Sequence, residues 1–309
     1  MLLMKKIILF VIIVLLVAIG AVYLFFPGNK QVVASMPVKA ALPGVYRIMS
    51  ADSNWKKWWP SSTAFQIYDY QFKIEGHIFN AFDISIKKRN DSLISRIDLA
   101  FIKADSMSIG WTAQINTGRN PFNRILKVTK AKEIEKHMSL ILTALKNFLE
   151  KTENIYGFHI SETTVKDSVL ISTRSSFKQS PSVNDIDGII QNLRKYIVAN
   201  GAEEKNFPML NILKAEEDHY EVMVAIPVDR KLPETNEFAP KFMLKGGYIL
   251  EAEINGGLYS IEKAFAEFEN YRSDHKYTSP AIPYQLLVTD RTKEADTAKW
   301  ITKLYYPVF

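Results

Sequence analysis

Few residues in this chain of 309 stand at spacings that do chemistry by themselves. The histidines (His77, His137, His159, His219 and His275) are scattered, with no His-x-x-x-His pair, and there is no cysteine, so no metal-ligand pattern is present. Gly-x-Ser-x-Gly, a phosphate-binding loop and Gly-x-Gly-x-x-Gly are missing as well. A triad assembled by the fold from distant residues stays open. No cofactor is expected, and binding is favoured over catalysis.

The elements that must position any site are announced by a repeat. Tyr196 and Pro208 recur as Tyr271 and Pro283 at one offset. The strand-like run Tyr220–Val228 (YEVMVAIPV) recurs as Trp300–Val308 (WITKLYYPV) at an offset five residues longer. Each copy reads as a strand, an amphipathic helix ending near a tyrosine, a loop closed by proline, and two strands ending in Pro-Val. A unit of about 65 residues is too small to bury a good core alone, so the copies are expected to pack face to face. That packing puts a cleft on a local two-fold axis, and a cleft is where a ligand goes.

The stretches Gly246–Gly257 (GGYILEAEINGG), Tyr259–His275, Ile282–Asp290 (IPYQLLVTD) and Lys299–Val308 (KWITKLYYPV) carry a resemblance to the GyrI-like effector-binding family of bacterial proteins. It covers roughly residues 160–309. The resemblance implies an amphiphilic or lipophilic small molecule held between the two modules by aromatic side chains, with an acidic residue meeting a cation; some relatives are hydrolases. The positions it singles out are Tyr220, Tyr248, Tyr284 and Trp300 for stacking, with Glu251 and Gln285 as polar partners. Aromatic faces attract a cation by about 0.5–2 kcal/mol per contact. Each of these aromatic residues also has an ordinary core role open to it. Gln285 departs from the family, which places a glutamate directly after the aromatic residue. A carboxamide neither pairs with a cation nor serves as a general base. Glu251 and Glu253, on one face of a strand by alternation, and Glu221 in the first copy are the carboxylates that could replace it.

Ahead of the repeat, Ala40–Ser50 is helix-friendly and leads into Asn54-Trp55-Lys56-Lys57-Trp58-Trp59-Pro60. Strand-like runs follow at Phe65–Glu75, Ile78–Arg89, Ser92–Lys103 and Ser106–Thr117, with hairpin turns expected at Gly76-His77 and Asn90-Asp91. A helix is predicted over Ala131–Thr152, where Ile134, Met138, Ile141, Leu142, Leu145, Phe148 and Leu149 form one apolar stripe. This order, with the tryptophan-rich segment, resembles the SRPBCC (START, polyketide-cyclase-like) superfamily. The resemblance implies a helix-grip fold enclosing an apolar cavity. Trp55, Trp58 and Trp59 are read as core, cavity mouth or headgroup-level residues.

The chain opens on Ile7–Phe26, a run of 20 residues without charge, long enough at about 1.5 Å per residue to cross a bilayer. It ends in bulky Tyr23-Leu24-Phe25-Phe26 rather than a small-x-small cleavage site, so it reads as an uncleaved anchor rather than a signal peptide. Lys5 and Lys6 precede it, which by the positive-inside tendency keeps residues 1–6 cytoplasmic and sends the soluble part to the periplasmic side of a bacterial inner membrane. Residues 1–165 hold 21 Lys and Arg against 12 Asp and Glu, and residues 166–309 hold 18 against 21, so the membrane-proximal half can lean on anionic headgroups. No helix-turn-helix or arginine-rich arm points to nucleic acid.

The reading is therefore α+β: a transmembrane helix at 7–26, a helix-grip domain at 27–157, and a GyrI-like domain at 158–309 with modules at about 166–228 and 242–309. The function expected is membrane-anchored binding of an amphiphile in the cleft between the repeated modules. A hydrolase in the same cleft and a ligand-free interaction module are the alternatives, and a protein partner is unspecified.

Overall fold

The computed structural model describes residues 2–309 except 64, 90, 217–218 and 280. The fold is mixed α+β in two compact units, Met1–Lys151 and Thr152–Phe309.

In the first unit, helix α1 (Leu2–Phe25) leads through Pro27-Gly28 into strand β1 (Asn29–Val38), followed by α2 (Leu42–Met49) and α3 (Asp52–Trp58). Strands β2 (Gln66–Ile67), β3 (Tyr70–Ile78), β4 (Ala81–Lys88), β5 (Asp91–Lys103) and β6 (Ser106–Asn116) then build an antiparallel sheet in the order β1-β6-β5-β4-β3-β2. Helix α4 (Pro121–Leu149) completes the helix-grip arrangement. Its N-terminus is set by Asn120, whose side chain accepts from the Phe122 and Asn123 amides, and by Pro121 in the first turn. The helix begins well before Ala131, and its early turns carry no sequence stripe because Phe122 and Leu126 there are exposed. Ile134, Met138, Ile141, Leu142, Leu145 and Leu149 are buried on one side, as their spacing requires.

Two turn expectations meet different outcomes. Gly76 does not turn the chain; it lies inside β3 at a register irregularity between Ile74 and Gly76, a bulge of the kind a strand glycine permits. The reversal comes at Phe79-Asn80, with Phe79 at φ 52°. The turn expected at Asn90-Asp91 falls at residue 90, outside the described residues. Strand β1 was not anticipated, because apolar Val33 and Met36 stand between its buried residues Val32, Ala34 and Val38 and blur the alternation, and Pro37 interrupts the run, as an edge strand tolerates.

The tryptophan-rich segment is core. Ring centroids run from Trp55 to Trp58 at 5.0 Å, to Trp59 at 5.8 Å, to Phe72 at 5.4 Å and to Trp111 at 6.0 Å. Trp111 Nε1 donates to Ser95 Oγ at 2.9 Å, and that hydroxyl donates to the Ile84 carbonyl at 2.8 Å, so one buried polar relay ties β6, β5 and β4. Trp55, Trp58, Trp59, Phe72 and Trp111 are buried, as are Met138, Ile141, Leu142 and Leu145 of α4. The end of α1 is pinned to the same unit: Tyr23 Oη donates to the Arg119 carbonyl at 2.6 Å, and Arg124 lies 4.4 Å over the Tyr23 ring while its Nη1 donates to the Phe26 carbonyl.

The second unit opens with α5 (Thr152–Tyr156) and β7 (Ser161–Thr164). The first copy is β8 (Val169–Phe177), α6 (Val183–Ala199), β9 (Met209–Glu216) and β10 (His219–Pro227); after β11 (Ala239–Phe242), the second is β12 (Tyr248–Asn255), α7 (Leu258–Asp274), β13 (Tyr284–Leu287) and β14 (Ile301–Pro307). Helices α6 and α7 are both 17 residues long and stand at the offset that separates Tyr196 from Tyr271. Pro208 and Pro283 immediately precede the two central strands. The sheet order, β11-β8-β10-β9-β13-β14-β12-β7, is symmetric about the β9–β13 seam. The copies also exchange edges: β7, ahead of the first copy, pairs with β12 of the second, and β11, ahead of the second, pairs with β8 of the first.

Local chemistry fixes both helix starts. At α6 the Ser182 hydroxyl accepts from the Asp185 amide while the Asp185 carboxylate accepts from the Ser182 amide, a capping box. At α7 the chain turns through Gly256 at φ 131°, where a side chain would also come within 2.6 Å of Ser260 Oγ.

Candidate functional site

Each helix packs on its own half of the eight-stranded sheet. Ile186, Ile190, Leu193 and Ile197 of α6 bury against Ile171, Val222 and Val224; Ile261, Ala264, Phe268 and Tyr271 of α7 bury against Leu250, Ala252 and Leu304. The seam between the halves is narrow, with Gln285 paired to Leu210 and Leu286 to Met209. It is reinforced by the Leu287 amide donating to the Pro208 carbonyl and by Asn211 Nδ2 donating to that of Pro283. Because neither helix lies over this seam, a cleft of about 920 Å³ remains between α6 and α7 with β9 and β13 as its floor. That volume suits a small organic ligand.

The walls follow the repeat. Ile186 and Ile190 line one side and their counterparts Ile261 and Phe265 line the other. On the floor the equivalent residues are Leu210 and Gln285, which face each other in register, so the local two-fold passes between an apolar and a polar side chain. Gln285 is buried, with 7% of its surface exposed.

The residues singled out from sequence do not all come together. Tyr220 and Gln285 line the cleft. Trp300, the counterpart of Tyr220 in the second copy, is buried behind it, its Nε1 donating to the Glu294 carbonyl at 2.9 Å. Tyr284 and Glu251 lie on the opposite face of the sheet, around a recess of only about 60 Å³. There Tyr284 stacks on Tyr305 at 5.1 Å and Glu251 accepts from Lys303 Nζ at 2.9 Å. Burial raises the phenol pKa of Tyr284 and Tyr305, and the Glu251 carboxylate raises that of Tyr305 further. Tyr248, at the start of β12, is 65% exposed and pairs with Thr164.

None of the carboxylates that could have replaced the family glutamate reaches the cleft. Glu251 and Glu253 alternate with Leu250, Ala252 and Ile254, which face α7, and so they point to the other side. Glu221 likewise alternates with Tyr220 and Val222 and is held by Ser176 Oγ and His219, which keep its pKa below the usual carboxylate value.

One cleft residue was missed altogether. Arg291 lines the cleft from the β13–β14 connection, where the five residues that lengthen the second copy are accommodated. Its Nη2 donates to Thr302 Oγ1 at 2.9 Å and to Gln285 Oε1 at 3.3 Å, and its Cζ lies 4.9 Å from the centroid of the Trp300 ring. Trp300 thus does stack on a cation, supplied by the chain itself. Burial pulls the guanidinium pKa down to about 10, which still leaves it charged at neutral pH.

No family model and no curated protein matches the chain. Among solved structures, the chain is similar to the EcmrR C-terminal domain at 13% identity and TM-score 0.42, over 49% of this chain and 98% of that one. It is also similar to a hydrolase from Listeria innocua at 8% identity and TM-score 0.37, over 48% and 91%. A third likeness is to the Aha1 dimer from Colwellia psychrerythraea at 16% identity and TM-score 0.30, over 39% and 96%. At these identities the likenesses concern chain path and assign no activity.

Proposed function

We propose that this chain is a membrane-anchored binding protein that captures an amphiphilic or lipophilic small molecule between α6 and α7. The observation that carries this reading is the uncovered β9–β13 seam, flanked by apolar walls that both copies of the repeat supply. Gln285, in place of a carboxylate at the centre of the floor, offers no general base, which supports binding over hydrolysis. Helix α1 is free of charge from Ile7 to Phe25, with none of the candidate span Met4–Phe25 buried, and would hold the binding unit at a membrane. With Lys5 and Lys6 at its N-terminal end, the soluble units would face away from the cytoplasm.

The test uses the full chain in lipid nanodiscs and the neutral fluorophore N-phenyl-1-naphthylamine, with empty nanodiscs subtracted. Saturable enhancement is expected for the wild type. Ile186→Trp, whose indole can enter the cleft from the α6 wall, should weaken it by about tenfold or more while the helical circular-dichroism signal is retained. Equal affinity in the folded variant would move the site elsewhere.

A further inference from the structure

We propose that the cleft selects an anionic amphiphile, with Arg291 receiving a carboxylate headgroup while the apolar walls hold the body. The proposal rests on the reading of the cleft as the ligand site and adds the charge class.

Arg291 differs from the four arginines that the structure pairs with carboxylates. Arg96, Arg194, Arg230 and Arg272 are each paired with Asp83, Glu204, Asp229 and Glu269, respectively. Arg291 has no carboxylate within ion-pair distance among the described residues, and its guanidinium is set among side chains that are themselves buried: Gln285, Thr302 and Trp300 are 7%, 0% and 5% exposed. A charge held this way without a counter-ion is costly, and a bound anion would offset that cost. A guanidinium has five N–H donors, of which only those of Nη2 are engaged by the described residues. Nε and Nη1 remain as separate donors, each able to meet a carboxylate oxygen in a charge-assisted hydrogen bond.

The other charges of the cleft do not reverse this. Asp290 accepts from Thr292 and pairs with Lys293 at 2.8 Å, Asp187 accepts from Gln191 at 3.1 Å, and Glu262 is exposed on the first turns of α7. Of the remaining cations, Arg194 is taken by Glu204 and Lys214 is exposed beside the Tyr220 ring. A cationic ligand entering over the floor would meet Arg291 and the neutral Gln285, and the like charge would oppose it.

The test compares 2-naphthoate, 2-naphthalenemethanol and 2-naphthylmethylammonium, three probes of similar shape, by calorimetric titration of the full chain in non-ionic detergent. Naphthoate should bind at least about tenfold tighter than the ammonium, the ratio expected of a charge-assisted hydrogen bond. Arg291→Gln should bring naphthoate to the level of the alcohol measured in the same variant, removing the difference between the two probes. Arg291→Lys, which keeps the charge but loses the hydrogen bonds that fix the guanidinium on Gln285 and Thr302, should preserve the order of the probes with a smaller margin. If the ammonium binds the wild type as tightly as naphthoate, anion selection is overturned while the cleft reading survives; that comparison needs no variant, so a folding defect in Arg291→Gln would not obscure it. If none of the three binds at millimolar concentration, both readings fall.

Discussion

Lysine at both Val14 and Ala18 moves the protein out of the membrane fraction. The two positions lie one helical turn apart near the middle of Met4–Phe25, and each lysine at a bilayer centre costs about 2.5–3.5 kcal/mol. The pair removes most of the insertion free energy of a helix that has no protein surroundings to shelter it. Carbonate extraction of membranes, followed by mass determination of the recovered chain, reads the outcome. The wild type should stay in the pellet with residues 2–25 still attached, and the double variant should become extractable. Recovery of wild-type chain that begins after Phe25 would instead identify α1 as a cleaved leader. The pinning of Tyr23 and Phe26 by Arg119 and Arg124 favours retention, because cleavage there would undo contacts that the folded first unit makes.

Trp111→Ala destabilises the first unit by about 3–5 kcal/mol, the usual cost of emptying a buried tryptophan site. Trp111 is fully buried, closes the run of rings that begins at Trp55, and donates to Ser95, whose hydroxyl bridges to the Ile84 carbonyl. Truncation leaves a cavity and takes one partner from a buried hydroxyl. Against a typical domain stability of about 5–15 kcal/mol, that loss is large. Hydrogen exchange on the full chain localises it: amides of β4, β5 and β6 should exchange faster while those of β8–β10 keep their protection. A loss below about 1 kcal/mol would mean that the interior already has slack, and that the apolar cavity implied by the SRPBCC resemblance is open after all.

The repeat was legible because duplication leaves marks that survive divergence. Tyr196 and Tyr271 end equivalent helices, and Pro208 and Pro283 lead into the two strands of the seam. The edge exchange was not legible. β7 and β11 are four residues each, SETT and APKF, and their partners lie in the other copy, so no local pattern specifies the pairing. The cleft was legible in place, but its lining was not. Tyr284 and Gln285 are neighbours on one strand, and strand alternation alone sends them to opposite faces, so both could not line one cleft. Arg291 escaped for a different reason. It lies in the connection that absorbs the longer offset, where comparison of the copies has nothing to align, and its importance depends on which carboxylates the fold keeps away from it.

Photolabelling tests most directly whether the cleft between α6 and α7 is the ligand site. A naphthalene carrying a diazirine, activated on the full chain in nanodiscs with and without excess unlabelled compound, would be mapped by peptide mass spectrometry. Competable labels should fall within residues 183–214 and 258–292, the segments that frame the cleft. Competable labels confined to residues 42–149, with none on α6, α7 or the seam, would contradict the account.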